Sequence, residues 1–422
     1  MVREIIWNWE IAGERYYMPG PLEGLKVLEV ANWVAGPSAC AIMADMGADV
    51  VKIEHPETGD PVRSVDVSSR GVVQHSGGIN LIFELLNRGK RSVAVNLENP
   101  QGQEIVQKLA ARSDVVVTNL TPHRQERYKL RYEDISVLNS RTIYLVLTGY
   151  GTEGPDRDRS GFDYAAFWAR SGIMGSLGEA EGPPTQQRPG MGDQTTSLAL
   201  TAAIGMALYE RERSGKGQRI DCSLLHTGMW VIGPDIMAAL KTRQPVESVP
   251  RKDVGNPLFN LYQTADGKWL QLVMIESERF WNGFCKALGL EKFTNDPRFD
   301  SHVNRVQHSK NLVEIIENQF ASESFDHWAA RLDEQRCIWA PVQTLDQVVD
   351  DPQVHANSYT TTLRHAQEGD FEILTPPMKY ARTPGTPTST APELGQHTET
   401  ALLELGYTWD DLIALKEQGA IL

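Results

Sequence analysis

The sequence predicts an α/β protein that contains a parallel sheet and continues into a smaller α+β region. Residues 25–30 and 50–54 are short apolar strands separated by a helix, a βαβ arrangement typical of parallel sheets. Strands and helices keep alternating up to residue 147. Beyond residue 259 the pattern changes to a hairpin followed by helices, which indicates a second, smaller region.

The elements of the first region follow in order. Its first helix begins near Gly36 and Pro37, because proline suits the first turn of a helix, and it ends at Met46. We expect further strands and one amphipathic helix in segments with the matching periodicity: strands 92–97, 114–119 and 142–147, and helix 101–112.

A long segment rich in Gly, Pro and charged residues, 151–192, has the composition of a functional loop. A long helix follows Asp193 and ends at the glycines near residue 215. In the second region, residues 265–268 have the composition of a hairpin turn between two strands. Helices are expected from about 277 to 335.

The expected organisation has four parts. Residues 1–20 form an N-terminal arm with aromatic residues, and 21–225 form the first part of a large domain. Residues 226–335 form a linker helix and a small domain, and 336–422 return to the large domain.

The amino-acid composition excludes several classes of function. The 422 residues are 41% apolar and 23% charged, as expected for a globular enzyme of two or three domains. The net charge of −14 argues against nucleic-acid binding. Four widely spaced cysteines suggest free thiols rather than a zinc site, and no metal is expected. Without a signal peptide or a membrane-spanning apolar run, we expect a cytoplasmic protein that does not bind membranes.

Familiar nucleotide and hydrolase motifs are missing. Glu54 ends the second strand, where a dinucleotide-binding domain places its ribose-binding acid. The turn after the first strand nevertheless lacks GxGxxG, which argues against NAD or FAD. Neither GxSxG nor HExxH occurs, so the sequence gives no support to a serine hydrolase or a zinc protease.

Two basic stretches are candidates for phosphate contacts. Arg88, Lys90 and Arg91 surround a glycine before a strand, and Arg124, Arg127 and Lys129 follow another strand. Arginine and lysine suit phosphate recognition, although a solvated turn explains such a charge run equally well.

Asp193 lies in a glycine-rich turn before the long helix, where it is suited to cap the helix or to act as a nucleophile. The ordinary aspartate pKa of about 3.9 and the helix dipole both predict an ionised carboxylate at neutral pH.

Taken in order, these segments resemble the class III CoA-transferase family, which includes formyl-CoA transferase and carnitine CoA-transferase. The resemblance extends over residues 21–422 and includes Ala35-Gly36-Pro37 and Gly192-Asp193. It is carried by a series of short matches: 25–29, 35–37, 44–54, 59–63, 87–92, 118–120, 149–151, 192–193, 214–218, 266–267, 296–299, 340–342 and 394–398.

The resemblance implies a large Rossmann-like CoA-binding domain, a small domain and two interlocked chains. It implies that Asp193 is the nucleophile and that no metal is needed. The nearby Asp163 is a second candidate catalytic residue, and the backbone amides of 190–194 are candidate oxyanion donors. The implied CoA contacts are Val34, Ala35, His55, Val95, Asn96, Leu97, Glu98, Asn119, Leu120, Thr121, Arg127 and 160–163.

Two departures refine these expectations. His55 and Glu98 stand where formyl-CoA transferase has basic residues, so the cluster of Arg88, Lys90 and Arg91 is a candidate to compensate. The similar α-methylacyl-CoA racemases carry a catalytic histidine where this chain has Phe162, which cannot transfer a proton.

The predicted function is CoA transfer from an acyl-CoA to a free carboxylic acid through an aspartyl-CoA thioester, in a homodimer or a heterodimer with a paralogue. An acyl-CoA isomerase or racemase, and a non-catalytic CoA-binding subunit, remain alternatives.

Overall fold

The computed structural model describes residues 20–64, 78–178, 182–244 and 249–422, together with the backbone of two short strands near the N-terminus. The rest of the predicted N-terminal arm lies outside the described residues, including Trp7, Trp9, Tyr16 and Tyr17.

The chain divides into two compact units. The first unit comprises Met1–Gly175, Gln186–Thr242 and His355–Leu422, and the second comprises Ser176–Thr185 and Arg243–Val354. The small domain predicted at 226–335 overlaps the second unit from residue 243 onward.

The strands, in chain order, are β1 (Glu10–Ile11), β2 (Glu14–Arg15), β3 (Lys26–Val30), β4 (Asp49–Glu54), β5 (Arg91–Ala94), β6 (Val115–Thr118), β7 (Ile143–Thr148), β8 (Arg219–Ser223), β9 (Leu261–Gln263), β10 (Trp269–Leu272), β11 (Trp339–Pro341), β12 (Thr360–His365) and β13 (Gly369–Leu374).

The α-helices are α1 (Ala35–Asp45), α2 (Leu81–Asn87), α3 (Pro100–Ala111), α4 (Pro122–Arg127), α5 (Tyr132–Ser136), α6 (Ile173–Ser176), α7 (Met191–Ser214), α8 (Leu224–Val231), α9 (Gly233–Thr242), α10 (Ser277–Leu288), α11 (His302–Gln307), α12 (Ser309–Phe320), α13 (Phe325–Glu334), α14 (Leu345–Val349), α15 (Pro352–Ala356), α16 (Thr398–Glu404) and α17 (Trp409–Glu417). A π-helical segment spans Asp163–Ala169.

The first unit is built on a six-stranded sheet in the order β5-β4-β3-β6-β7-β8. All neighbouring strands in it are parallel, which confirms the predicted α/β class. The chain moves outward from β3 to β5 and then returns to the other side of β3 with β6. This order has a topological switch point between β3 and β6, where ligands of open α/β sheets bind beyond the carboxyl ends of the strands.

Helices cover both faces of this sheet. Residues of α1, the π-helical segment, α7 and α8 pack on one face, where Met43, Phe167 and Leu200 are buried against Val117. On the other face, residues of α3, α16 and α17 form one buried cluster with residues of β3 to β7. The strands are therefore apolar on both sides, which explains why their runs of Val, Ile and Leu could be predicted.

The end of the chain packs on the outer strand β5. The backbone of Val95 pairs with Ile421, and the His397 amide donates to the Ser92 carbonyl at 2.9 Å. Residues 391–422 thus extend the core of the first unit.

The second unit contains a three-stranded antiparallel sheet in the order β11-β10-β9, packed with α10, α12 and α13. The pairing of Gln263 with Trp269 confirms the predicted hairpin. A second hairpin, β12–β13, lies in the first unit and was not predicted. Among the described helices, none is both long and apolar enough to cross a membrane. The described residues include no cluster of three or more His, Cys, Asp or Glu side chains suited to a metal.

Candidate active site

The loops that follow β3 and β6 meet at the topological switch point. The Asn32 amide donates to Asn119 Oδ1 at 3.1 Å, and Asn119 Nδ2 donates back to the Asn32 carbonyl at 2.8 Å. These reciprocal hydrogen bonds join the two loops at the position where the strand order predicts a ligand.

Trp33 adopts a left-handed backbone conformation with φ of 72°, which is unusual for a bulky residue and costs roughly 1–3 kcal/mol. Its amide donates to Asp60 Oδ1 at 3.2 Å. Its ring meets Phe162 edge to face, with the ring centroids 5.3 Å apart. Because such strain persists only where surrounding contacts impose it, the aromatic edge is held in place by the fold.

A cluster of buried ion pairs holds the loop after β3, which contains Trp33, in place. Lys52 Nζ lies 2.6 Å from Glu29 Oε1 and 2.8 Å from Asp60 Oδ2, and Lys90 Nζ lies 2.6 Å from Glu29 Oε2. All four side chains are fully buried. Burial by itself raises the pKa of Glu29, but the positive charges of Lys52 and Lys90 outweigh this effect. The pKa of Glu29 therefore lies below its usual value. The cluster therefore fixes Asp60, which in turn holds the Trp33 amide.

Asp193 lies in the first turn of α7, not in the turn before the helix, and its side chain is half-buried. The residue at the N-cap is Gly190, with φ of 79°. Burial, followed by the negative charge of Asp163, raises the pKa of Asp193 to about 7. The prediction of a fully ionised carboxylate at neutral pH was therefore wrong, because loss of water and a neighbouring like charge outweigh the helix dipole.

Asp163 takes over the helix-capping role that the sequence suggested for Asp193. It begins the π-helical segment, is buried, and its Oδ2 accepts a hydrogen bond from the Gly190 amide at 2.8 Å. Burial raises the pKa of Asp163, while the amides of Gly190, Gly192 and Asp193 act in the opposite direction. Asp163 thus ties the start of α7 to the neighbouring segment.

Gly192 is required by this arrangement. A Cβ at this position would lie 2.3 Å from Asp163 Oδ1 and 2.3 Å from Phe167 Cγ. Only glycine lets the helix approach the buried carboxylate so closely, which brings Asp163 and Asp193 together.

Asp193 lines a cavity of about 270 Å³. The cavity walls come from the segments that follow three neighbouring strands and from the loop before the π-helical segment: 32–35, 119–121, 147–149, Arg157 and 159–162. Arg124 and Leu224 complete the lining. A cavity that places a carboxylate among apolar and cationic side chains suits an extended ligand with a reactive carbonyl and an anionic group.

The structure brings part of the predicted CoA site together. The predicted contacts that line the cavity are Val34, Ala35, Asn119, Leu120, Thr121, Ser160, Gly161 and Phe162. Asp163 lies beneath it and shares the start of α7 with Asp193.

The other predicted contacts do not line this cavity. Val95 and Asn96 pair with the C-terminal residues, and Leu97 packs at the edge of the core. Glu98 pairs with Arg127, and its carboxylate also accepts from Tyr128 Oη at 2.6 Å. His55 is exposed, and its Nδ1 accepts from the Glu57 amide at 3.2 Å.

Lys90 and Arg91 have structural partners. Lys90 is buried against Glu29 and also donates to the Pro37 carbonyl at 2.8 Å, and it does not line the cavity that holds Asp193. Arg91 pairs with Asp49 at 3.2 Å and with Glu404 at 2.7 Å. This arrangement does not support the expectation that these two residues replace missing phosphate contacts, because neighbouring carboxylates already neutralise them.

Sequence reasoning missed Arg157 and Arg159 as lining residues. The signal available was the composition of the 151–192 loop, which was interpreted as functional without assigning these arginines. Arg124 was noticed only as part of a basic stretch. The placement of all three depends on how the loop folds back over the sheet, which local sequence does not show.

A second cavity of about 660 Å³ lies beside the next residues of α7. It is largely apolar, with Ile42, Leu198, Leu374 and Pro376 in its walls. Gln194 Oε1, at its edge, accepts a hydrogen bond from Ser38 Oγ at 2.6 Å. Of the residues that the sequence suggested for the site, Arg88 and Gln194 line this cavity.

Comparison with known proteins defines the class to which this fold and site belong. The chain matches CoA-transferase family III over residues 22–398. It therefore belongs to that family and is an enzyme of the transferase class.

Individual relatives cover nearly the whole chain. An (R)-2-hydroxy-4-methylpentanoate CoA-transferase of Clostridioides difficile is 31% identical over 400 residues, covering 95% of this chain and 99% of the relative. A cinnamoyl-CoA:phenyllactate CoA-transferase of Clostridium sporogenes is 31% identical, covering 94% and 97%. A CAIB/BAIF family protein from Brucella suis of known structure has a TM-score of 0.80 at 28% identity, covering 92% of this chain and 100% of that one.

Proposed function

We propose that the enzyme transfers CoA from an acyl-CoA donor to a free carboxylic acid, with Asp193 as the covalent carrier. The observation that carries the proposal is the half-buried Asp193 carboxylate in a cavity at the switch point of the sheet. The relatives named for CoA transfer between carboxylic acids support it.

The proposed reaction begins with attack of the Asp193 carboxylate on the thioester carbonyl. The carbon–sulfur bond breaks, which gives a mixed anhydride and CoA thiolate. The thiolate then attacks the aspartyl carbonyl, releasing the donor acid as a carboxylate and leaving an aspartyl-CoA thioester. The acceptor carboxylate attacks that thioester and repeats the two steps in reverse, so that Asp193 is regenerated.

The raised pKa of Asp193 suits this role. A carboxylate with a pKa of about 7 is more basic than an ordinary aspartate, so it is a stronger nucleophile once ionised. Near neutral pH roughly half of the molecules carry the ionised form. No proton is consumed in the cycle, because each carboxylate that attacks is matched by one that is released.

Asp163 acts as a positioning residue in this proposal. Its carboxylate holds the Gly190 amide and lies near enough to Asp193 for its charge to raise that residue's pKa. Four of the five amides considered as oxyanion donors are already engaged. Those of Gly190, Gly192 and Asp193 are directed at Asp163, and that of Gln194 donates to the Gly190 carbonyl at 2.9 Å. Of the five candidates, oxyanion stabilisation is therefore expected from the amide of Met191.

The experiment is a screen of acyl-CoA donors against free carboxylic acids, including the 2-hydroxy acids suggested by the relatives. We expect ping-pong kinetics in the wild type and loss of transfer by several orders of magnitude in Asp193→Asn. Undiminished transfer by a correctly folded Asp193→Asn protein would contradict the proposal.

The isomerase alternative deserves a direct test, because a carboxylate with a pKa near 7 can also serve as a general base. Phe162 packs edge to face on Trp33 and supplies no second proton-transfer group. We therefore expect no exchange of solvent deuterium into the α-carbon of the acyl group when no acceptor acid is present. Rapid exchange under those conditions favours the isomerase.

We further propose that the enzyme acts in the cytoplasm as an interlocked homodimer, or as a heterodimer with a paralogue. Large apolar side chains on α7 and α8 are exposed in the single chain, including Met206 at 72% and Trp230 at 81%. The helix α9 has no buried residue. Such a run of exposed apolar helix surface is typical of a subunit interface.

A further inference from the structure

Glu54 stands at the end of β4, where a dinucleotide-binding domain places its ribose-binding acid, but its carboxylate has partners within the fold. The side chain is fully buried. Its Oε2 accepts from the Asp60 amide at 2.9 Å, and its Oε1 accepts from Ser92 Oγ at 2.6 Å. Arg63 Nε lies 2.7 Å from the same carboxylate. Glu54 therefore fixes the backbone of the loop after β4 at Asp60.

Asp60 and Lys52 together hold the backbone of the loop after β3. Asp60 Oδ1 accepts from the Trp33 amide at 3.2 Å, and Lys52 Nζ donates to the Ala31 carbonyl at 2.9 Å. The two side chains pair with each other at 2.8 Å, and both are fully buried. Removing one partner of a buried ion pair leaves an uncompensated charge, so this pair holds both ends of the segment 31–33 firmly.

The segment is held in a conformation that Trp33 disfavours. Its φ of 72° lies in the left-handed region, where a Cβ crowds the backbone. Its ring meets Phe162 edge to face, although Trp33 remains 38% exposed and Phe162 52% exposed. Two rings that stay this exposed gain little free energy from burial. The hydrogen bonds of the backbone, rather than the packing of the rings, therefore maintain the strained conformation.

Phe162 connects this loop to the two carboxylates of the proposed active site. It is the N-cap residue of the π-helical segment, and its carbonyl accepts from the Ala166 amide at 2.8 Å. The next residue is Asp163, whose Oδ2 accepts from the Gly190 amide at the start of α7. Asp193 lies in the first turn of that helix. A displacement of Phe162 would therefore move Asp163 and, through it, the first turn of α7.

We propose that Asp60 is a positioning residue for the transfer reaction. It holds Trp33 in the left-handed conformation, Trp33 supports Phe162, and Phe162 keeps Asp163 in place beside Asp193. The role in transfer rests on the proposed function, whereas the effect of Asp60 on Trp33 does not. Reacting groups must be held to within roughly 0.5 Å of the productive geometry, so a small displacement along this series of contacts lowers the rate.

The first experiment observes Trp33 by ¹⁹F NMR, without turnover. The full chain is labelled with 5-fluorotryptophan, and because it has ten tryptophans, the Trp33 signal is assigned by its loss in Trp33→Phe. Asp60→Asn keeps the size of the side chain but removes the negative charge opposite Lys52. The Trp33 signal should therefore shift or broaden in this variant. An unchanged Trp33 signal in a folded Asp60→Asn protein would overturn the inference.

The matched control is Asp45→Asn, which disturbs a different buried ion pair. Asp45 lies at the far end of α1 from Trp33 and pairs with Arg88 at 2.6 Å, and both side chains are buried. Asp45→Asn and Asp60→Asn should both lower the unfolding temperature, because each leaves a buried cation without its partner. Only Asp60→Asn should change the Trp33 signal and the rate of transfer. Equal changes of that signal in both variants would overturn the inference, since general loosening of the fold would then explain them.

The second experiment is a double-mutant cycle on kcat/KM for transfer. Asp60→Asn should lower kcat/KM by ~10- to 100-fold, the loss expected when reacting groups are slightly misplaced. In Trp33→Gly the ring is absent, and glycine adopts the left-handed conformation without strain. Adding Asp60→Asn to that variant should lower kcat/KM by less than about 2-fold further, because the two residues act through one path. Losses that multiply in the double variant would overturn the inference.

Arg63→Gln serves if Asp60→Asn does not fold. The Arg63 side chain is 18% exposed, and it pairs with Glu54, which holds the Asp60 amide. A smaller shift of the Trp33 signal is expected, and no shift would overturn the inference.

Failure of the proposed function gives a different pattern of results. A wild type that transfers CoA to no acid, while Asp60→Asn still shifts the Trp33 signal, contradicts the proposed function and supports the effect of Asp60 on Trp33. A wild type that transfers CoA, with an unchanged signal or with losses that multiply, contradicts the inference alone.

Discussion

The start of α7 brings the carboxylates of Asp193 and Asp163 close together. Gly192 lets α7 approach Asp163, and Asp163 holds the Gly190 amide. The result is that Asp193, the proposed nucleophile, has a pKa of about 7. The family resemblance pointed to both residues as candidates, but the sequence could not show their electrostatic coupling, which depends on burial and distance.

This coupling sets the expected pH dependence. In the wild type, kcat/KM should rise with pH through about 7 as Asp193 ionises. Asp163→Asn removes the neighbouring negative charge, so the pKa of Asp193 should fall and the rise should move to lower pH. The measurement is the pH–rate profile of both proteins. An unshifted profile in a folded Asp163→Asn protein contradicts the coupling.

The raised pKa of Asp193 also makes the free energy of unfolding depend on pH. Between the unfolded pKa near 4 and the folded pKa near 7 the native protein binds the extra proton, so Asp193 costs stability as pH rises through that range. Asp193→Asn should therefore raise the free energy of unfolding at pH 8 by about 2–4 kcal/mol and change it little at pH 4. Urea titrations at the two pH values check this. Equal effects at both pH values contradict it.

Gly192 and Gly205, both on α7, provide a matched pair of substitutions. Gly192→Ala should destabilise the protein by roughly 1–3 kcal/mol and reduce transfer, because its Cβ would collide with Asp163 and Phe167. At Gly205 a Cβ meets nothing within 4 Å, so Gly205→Ala should stabilise the helix by about 0.5–1 kcal/mol. Thermal unfolding and activity separate the two, and equal effects contradict the packing argument.

At the scale of elements, the central strands were predicted to within a residue or two. Both of their faces are buried, so β6 and β7 are nearly continuous apolar runs, and β3 is apolar apart from Lys26 and Glu29. The hairpin β12–β13 was missed because only Leu363 and Ile373 among its residues are buried. Glu29 and Lys52 are register partners on β3 and β4, and a single sequence does not show that such charges face each other inside the core.

The helix α17 tests how strongly the end of the chain contributes to the first unit. Leu412 is 2% exposed within the cluster that covers β6 and β7, whereas Ile413 on the same helix is 56% exposed. Leu412→Ala should cost about 2–5 kcal/mol in unfolding free energy, and Ile413→Ala less than about 0.5 kcal/mol. Denaturant titration measures both. Similar small values would show that α17 is not part of the core.

At the scale of the whole molecule, the strand order places the proposed ligand site at the junction of β3 and β6, and this follows from topology rather than from any one motif. The cationic part of the cavity could not be predicted, because Arg157 and Arg159 reach it only through the fold of a long loop.

The proposed dimer is also a property of the whole molecule. Met206→Glu combined with Trp230→Glu should weaken association, because charges would enter the apolar surface of α7 and α8. Val137 is 82% exposed on a different part of the first unit, so Val137→Glu serves as the control. Light scattering after gel filtration should show a dimer for the wild type and the control and a monomer for the double variant. A monomeric wild type contradicts the proposal.

The most direct test of the proposed chemistry is the mass of the protein after incubation with an acyl-CoA and no acceptor acid. The account predicts an intact-protein mass increase equal to CoA less one water, carried by a peptide that contains Asp193, and its disappearance on addition of an acceptor acid. The adduct should be absent in Asp193→Asn. Turnover in the wild type without any such adduct, or an adduct located on another residue, would contradict the assignment of Asp193 as the carrier of CoA.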